Sequence, residues 1–155
     1  NPGPSRAMKT TEDTAAALFA DGYNCAQSTF CALCERLGMD RNTALKTSCG
    51  FGGGMGRNQE VCGAVAGGIM AIGLRHGRGV NDDRPVTMAA YEKVRAFMGR
   101  FAAQHGSCLC RDLLDGVNLL TAEGQQQFKE RNLHGTVCTE CVRTATRLAE
   151  EAVNG

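Results

Sequence analysis

Cys62 has the surroundings in which a thiol becomes reactive. It opens the run Cys62-Gly63-Ala64-Val65-Ala66-Gly67, just behind the glycine-rich stretch Gly50-Phe51-Gly52-Gly53-Gly54-Met55-Gly56. Its neighbours are too small to shield it, and the pattern places it close to a loop-to-helix junction. A cysteine in the first turn of a helix lies at the positive end of the backbone dipole. That position favours the thiolate, the form that attacks disulfides and binds metals. Glycine costs about 1 kcal/mol relative to alanine inside a helix, so Gly63, Gly67 and Gly68 imply close approach by another backbone or by a cofactor. The competing explanation is tight helix packing around a buried, inert cysteine.

The chain has nine cysteines, so the question is which thiols cooperate. Cys31–Cys34 and Cys138–Cys141 are C-x-x-C pairs. Twin pairs mark zinc when a short interval separates them. Here they stand near opposite ends of the chain, and both fall on predicted helices. Cys34 edges an apolar stripe, whereas Cys31 falls beside Asn24, Gln27 and Ser28 and is expected to face outward as an incidental surface thiol. Cys138 and Cys141 share a buried seam, where small core residues are the plain alternative. Neither pair is followed by histidine, so covalent haem attachment is not indicated. Cys108-Leu109-Cys110 follows Gly106-Ser107, at a loop or helix start where a thiol can be exposed. A bond between Cys108 and Cys110 would be strained.

Other chemistries find little support. The glycine run lacks the G-x-G-x-x-G spacing and a preceding strand, and it has no P-loop lysine or hydroxyl. Its expected role is to let the chain pass close to the thiols. His76, His105 and His134 lie at predicted helix ends or in loops, as exposed or capping residues rather than metal ligands. No serine–histidine–acid set, paired carboxylates or H-E-x-x-H motif occurs. The formal net charge of +1 and 5% aromatic content argue against nucleic-acid binding.

With 155 residues the chain suits one domain, expected over 10–155. Residues 1–9 resemble a tag remnant or a flexible end, with Met8 as a native start. No basic segment followed by an apolar one announces secretion. The apolar stretch Val61 to Leu74 is broken by glycines and shorter than the roughly 18 residues a spanning helix needs. A cytoplasmic protein without membrane insertion is therefore expected. In that reducing setting, clustered cysteines serve redox chemistry or metals more often than permanent staples.

Positioning falls to helices. Thr10 to Asp13 reads as a capping box before Ala15–Ala20. Asn24 caps a second helix with the stripe Ala26, Phe30, Leu33 and Leu37, stopped at Gly38. A short helix runs from Asn42 to Thr47, and Asn58 caps one from Gln59 to Arg75 with Glu60 in its first turn. Pro85 starts the longest helix, to His105, with the stripe Tyr91, Val94, Met98 and Phe101. Cys110–Leu114 is a turn or short helix, and Ala122–Asn132 a polar one. The last helix carries Cys138, Cys141, Ala145, Leu148 and Ala152 on one face. No strand-like alternation appears. The fold class is all-α, a compact helical bundle of about six to seven helices with a Gly-rich loop.

These residues together resemble the C_GCAxxG_C_C family of redox-active, cysteine-rich proteins, from about Thr10 to the C-terminus. The resemblance rests on Gly22-Tyr23-Asn24-Cys25-Ala26-Gln27, on the glycine run with Cys62-Gly63-Ala64-Val65-Ala66-Gly67-Gly68, on Gly106-Ser107 with Cys110-Arg111-Asp112-Leu113-Leu114, and on Cys138 four residues before Val142. It implies a site of Cys25, Cys62, Cys110 and Cys138, with Cys31, Cys34, Cys49, Cys108 and Cys141 outside the core pattern. Four thiols from separate helices can converge in a bundle. The implied function is thiol–disulfide exchange or electron transfer, as a thiol–disulfide oxidoreductase in which Cys62 is the most activated thiol and a second cysteine resolves the mixed disulfide. Cys108 and Cys141 are the natural resolving neighbours of Cys110 and Cys138. The alternative is an iron–sulfur cluster or zinc held by the same Cys25, Cys62, Cys110 and Cys138, in an electron-carrier or non-catalytic role. The expected partners are a redox protein and a second copy of the chain.

Overall fold

Helix caps written into the sequence start half of the helices. In the computed structural model, which describes residues 9–155, the Thr10 side chain accepts the Asp13 N–H, and the Asp13 carboxylate accepts the Thr10 N–H. This box opens α1 (Thr11–Ala20). The expectation for the first residues lies outside the described residues, Lys9 excepted. Asn24 and Gln27 repeat the device at α2 (Cys25–Cys34), and Asp40 caps α3 (Arg41–Ser48). Further along come α4 (Gly63–His76), α5 (Arg84–His105), α6 (Cys110–Leu113), α7 (Ala122–Glu130) and α8 (Thr139–Asn154). Pro85 stands in the first turn of α5, where its missing N–H costs no helical bond, and Gly106 closes that helix at φ +89°.

Among the described residues no strand forms. An isolated antiparallel bridge joins Val61 to Leu109. The fold is all-α, with eight right-handed α-helices among the described residues against the six to seven expected. None is long and apolar enough to cross a membrane.

Helix α4 packs against α2 and α8, α1 lies across α2 and α8, and α5 covers α4 and α8. The core they enclose includes Phe30, Val65, Ile72, Phe101, Val142 and Leu148. Burying each such side chain contributes about 1.5–3 kcal/mol. Small residues on α4 let the helices approach. A Cβ at Gly67 would stand 2.8 Å from the Ala26 carbonyl oxygen, and one at Gly68 would run into the Phe97 ring. A second apolar cluster, Cys110, Leu114, Val117, Leu119 and Leu133, is built from α6 and the segments around α7. Val137 and Cys138 pack against both clusters.

Three expectations are corrected. Cys31 does not face outward but is fully buried, because α2 is covered by α1, α3, α4 and α8 together and has no outward side at that point. On α5 the expected Val94, Met98 and Phe101 do pack on the core, joined by Phe97, and Ala90 is buried, but Tyr91 is 53% exposed and leaves the stripe. The helix expected from Gln59 starts at Gly63 instead. The cause is a left-handed passage: Gly53, Gly54, Met55, Gly56 and Arg57 all have φ between +62° and +70°, and Gln59 follows at +59°. A right-handed helix cannot begin on that backbone, and the left-handed form costs each L-residue about 1–2 kcal/mol.

Candidate functional site

The left-handed passage ends by laying residues 60–62 alongside residues 108–110. The Cys62 N–H donates to the Cys108 carbonyl at 2.7 Å, and the Cys110 N–H donates to the Glu60 carbonyl at 2.7 Å. Arg111 seals the edge, with its guanidinium 2.7 Å from the Glu60 carboxylate. Beneath it the buried Gln59 side chain donates to Val117 O at 2.7 Å and accepts from Leu119 N at 2.8 Å, tying the small cluster to the loop. Cys62 and Cys110 thereby open α4 and α6 from neighbouring segments.

Between the two apolar clusters lies a cavity of about 540 Å³. Its lining includes Cys25, Cys62, Cys110, Cys138 and Cys141. Each is carried differently. Cys25 is the first residue of α2 and lies against Gly63, where a Cβ would collide with its Sγ and with the Phe51 carbonyl oxygen. Cys62 is the N-cap of α4. Cys110 starts α6, and its Cβ would be 2.9 Å from a side chain at Gly54. Cys138 ends a π-helical turn, His134–Cys138, in which the Thr139 N–H bonds back to the His134 carbonyl. Such turns occur often at functional sites. Cys141 lies in the first turn of α8. His134 stacks on Phe19 at 4.0 Å between ring centroids, and both rings face the cavity.

The four cysteines expected from the resemblance therefore share one cavity, together with Cys141. The others do not line it. Cys31 and Cys34 are buried on α2, and Cys49 is exposed. Cys108 is half-buried and turns its thiol to the Met98 carbonyl at 3.4 Å, serving Cys62 only through its own backbone oxygen. All nine are free thiols. Arg57, Lys129 and the His134–Phe19 pair were not legible as site residues. Lys129 belongs to a polar helix, and Arg57 is one arginine among many.

The cavity thiols differ in electrostatics. Cys62 is held below the ordinary thiol range, first by the Cys141 thiol beside it and then by the Val65 and Ala64 N–H groups at the open end of α4, which together outweigh its burial. Cys141 is driven up, first because its proton is engaged with Cys62 and then by burial. Burial, then the Cys62 charge, pushes Cys25 up to about 11, against the Gly53 and Ala26 N–H groups that favour its thiolate. Burial followed by the Cys62 and Cys25 charges pushes Cys110 up to about 12. Cys138 is likewise raised, chiefly by burial. One thiol shifted down among thiols shifted up is the ordering a nucleophile with a resolving partner requires.

The match to a family model described as "Putative redox-active protein (C_GCAxxG_C_C)" covers residues 23–152. The chain belongs to this family. A relative 32% identical over 120 residues is an uncharacterized protein of Archaeoglobus fulgidus, and the alignment spans 73% of this chain and 80% of the relative. No solved structure matches. The matched span contains all nine cysteines, so the redox-active description applies to the segment that builds the cavity.

Zinc requires four ligands about one point. Among the described residues no three His, Cys, Asp or Glu side chains are placed to hold one metal ion. The thiols ring a cavity instead, and a preformed single-ion centre does not fit them.

Proposed function

We propose that this protein is a thiol–disulfide redox protein in which Cys62 is the attacking thiolate and Cys141 the resolving thiol. The carrying observation is the pairing of the depressed Cys62 thiol with the raised Cys141 thiol on the wall of one cavity. Cys62 attacks one sulfur of a disulfide and forms a mixed disulfide. The released thiolate takes a proton. Cys141 then attacks the Cys62 sulfur, and the second thiolate leaves. The substrate gains two electrons, and the protein is left with a Cys62–Cys141 bond. Cys25, Cys110 and Cys138 surround the pair and supply further thiols for exchange.

The test is trapping. A Cys141→Ser variant exposed to a small disulfide should accumulate a mixed disulfide at Cys62, found by mass mapping under non-reducing conditions. A Cys62→Ser variant should accumulate none there or at Cys141. An anaerobic preparation that is coloured, contains iron and acid-labile sulfide, and loses both in Cys62→Ser would overturn the proposal and assign the same thiols to a cluster.

A further inference from the structure

The reacting pair is sunk in the protein. Cys62 is 6% exposed and Cys141 2%, and both line the cavity. Sulfurs buried to this degree favour a small molecule that can enter the cavity over a disulfide held on the surface of a folded partner. The volume of about 540 Å³ falls within the usual range for small-molecule sites.

The charge of the lining is one-sided. Arg57, Lys129 and His134 border the cavity, and no aspartate or glutamate does. Neither Arg57 nor Lys129 has a carboxylate partner among the described residues. Of the carboxylates adjacent or nearly adjacent in sequence to the lining, Glu60 pairs with Arg111 at 2.7 Å, Asp112 accepts from the Ser107 hydroxyl at 2.7 Å, Asp115 pairs with Arg131 at 3.6 Å and Glu130 accepts from the Gln126 amide at 2.8 Å, while Asp21 and Glu140 lie beside lining residues without lining the cavity themselves. Arg57 is also placed by the backbone. Its left-handed φ of +67° lays its Cγ over Gly53, at 2.7 Å from where a Gly53 Cβ would stand. Gly53 is the residue whose N–H faces the Cys25 sulfur. The guanidinium thus belongs to the same strained loop that touches the thiols, and strain of this kind gathers at binding sites. A cavity with walls of low dielectric and one sign of charge concentrates ligands of the opposite sign.

We propose that the cavity takes a small anionic disulfide, one bearing carboxylate or phosphate groups, with Arg57 and Lys129 holding the anionic ends and Cys62 attacking the sulfur. This rests on the thiol-exchange reading above. The reduced pair and the disulfide R–S–S–R give the Cys62–Cys141 disulfide, one RS⁻ and one RSH. The substrate S–S bond breaks and the protein S–S bond forms. The proton that leaves Cys141 ends on one of the departing thiolates. Two electrons pass from the protein to the substrate.

Three symmetric disulfides of similar size separate the possibilities: dithiodipropionate (anionic), hydroxyethyl disulfide (neutral) and cystamine (cationic). The oxidation rate of the reduced protein with each is divided by the rate of the same disulfide with a small free thiol. The anionic-to-neutral ratio should be about tenfold or more, should fall with added salt, and should exceed the cationic-to-neutral ratio. In an Arg57→Gln/Lys129→Gln double variant with unchanged helical circular dichroism, it should fall to about one. A wild-type ratio near one, or a preference that survives the double substitution, overturns the anionic assignment while leaving thiol exchange standing. Failure of all three disulfides to oxidise Cys62 and Cys141 sinks the exchange reading itself, and this proposal with it.

Discussion

Cys141 stands against Cys62 so that the proton of one thiol stabilises the charge of the other. The direction of the pairing follows from position. Cys62 precedes α4 and receives the unpaired Ala64 and Val65 N–H groups, whereas Cys141 has no comparable donors and keeps its proton.

Alkylation should read this asymmetry directly. In the reduced protein, the pH–rate profile of Cys62 should have its midpoint below the ordinary thiol value of 9.0, and those of Cys110 and Cys25 above it. A Cys141→Ala substitution removes the largest stabilising contact and should move the Cys62 midpoint upward. Timed alkylation with peptide mass mapping measures each thiol separately. If Cys62 titrates no lower than Cys110, the asymmetry is absent.

Gly63→Ala should damage the site. The added methyl meets the Cys25 sulfur and the Phe51 carbonyl oxygen, neither of which can retreat without moving α2 or the glycine loop. Overpacking of this kind costs about 1–3 kcal/mol. Gly99→Ala is the control: it lies inside α5 with open space where the Cβ would go, and it should stabilise by about 0.5–1 kcal/mol through helix propensity. Urea unfolding of the two variants should shift in opposite directions.

Gln59→Ala should loosen the wall of the cavity. It strips the Val117 carbonyl and the Leu119 N–H of their buried partner. Each of the two unsatisfied groups costs about 1–3 kcal/mol, so a loss of about 2–6 kcal/mol is expected. Hydrogen exchange should accelerate first in the segment from Cys110 to Leu133, where the small cluster lies. Uniform acceleration over the whole chain would show that Gln59 does not act locally.

The reduced protein should lose stability in alkali. Burial, with the Cys31 charge, pushes Cys34 up to about 12, and Cys110 is raised as far by burial with the Cys62 and Cys25 charges. In the unfolded chain such thiols ionise near 9.0. A folded value above the unfolded one means that the stabilisation is complete below pH 9 and is withdrawn as pH rises from there towards the folded value. Denaturation midpoints at about pH 8 and about pH 10.5 should therefore differ, and a Cys34→Ala variant should show the smaller difference. An equal alkaline loss in that variant would remove Cys34 from the account.

Local order was legible from the residues alone. The Thr10–Asp13 box, the Asn24 cap, Pro85 and Gly106 start and stop helices through contacts within a few residues, and such contacts are written in adjacent positions. The absence of strand alternation pointed to an all-α chain for the same reason, and the family pattern marked Cys25, Cys62, Cys110 and Cys138. Other features depended on which surfaces meet. Cys31 shares a helix with polar neighbours, and only the arrival of helices on every side buries it. Met55 and Arg57 have no intrinsic preference for positive φ. They adopt it because Arg57, Gln59 and Glu60 hydrogen-bond back to Gly52, Gly53 and Gly54 at 3.1 Å, closing a left-handed turn against α6. That turn delays α4 to Gly63, leaves Cys62 as its cap and brings Arg57 to the cavity. The meeting of Cys62 with Cys141 is likewise set by the packing of α4 on α8. Spacing along a chain specifies which residues share a helix face, but the distance between faces on two helices arises only when the core closes between them.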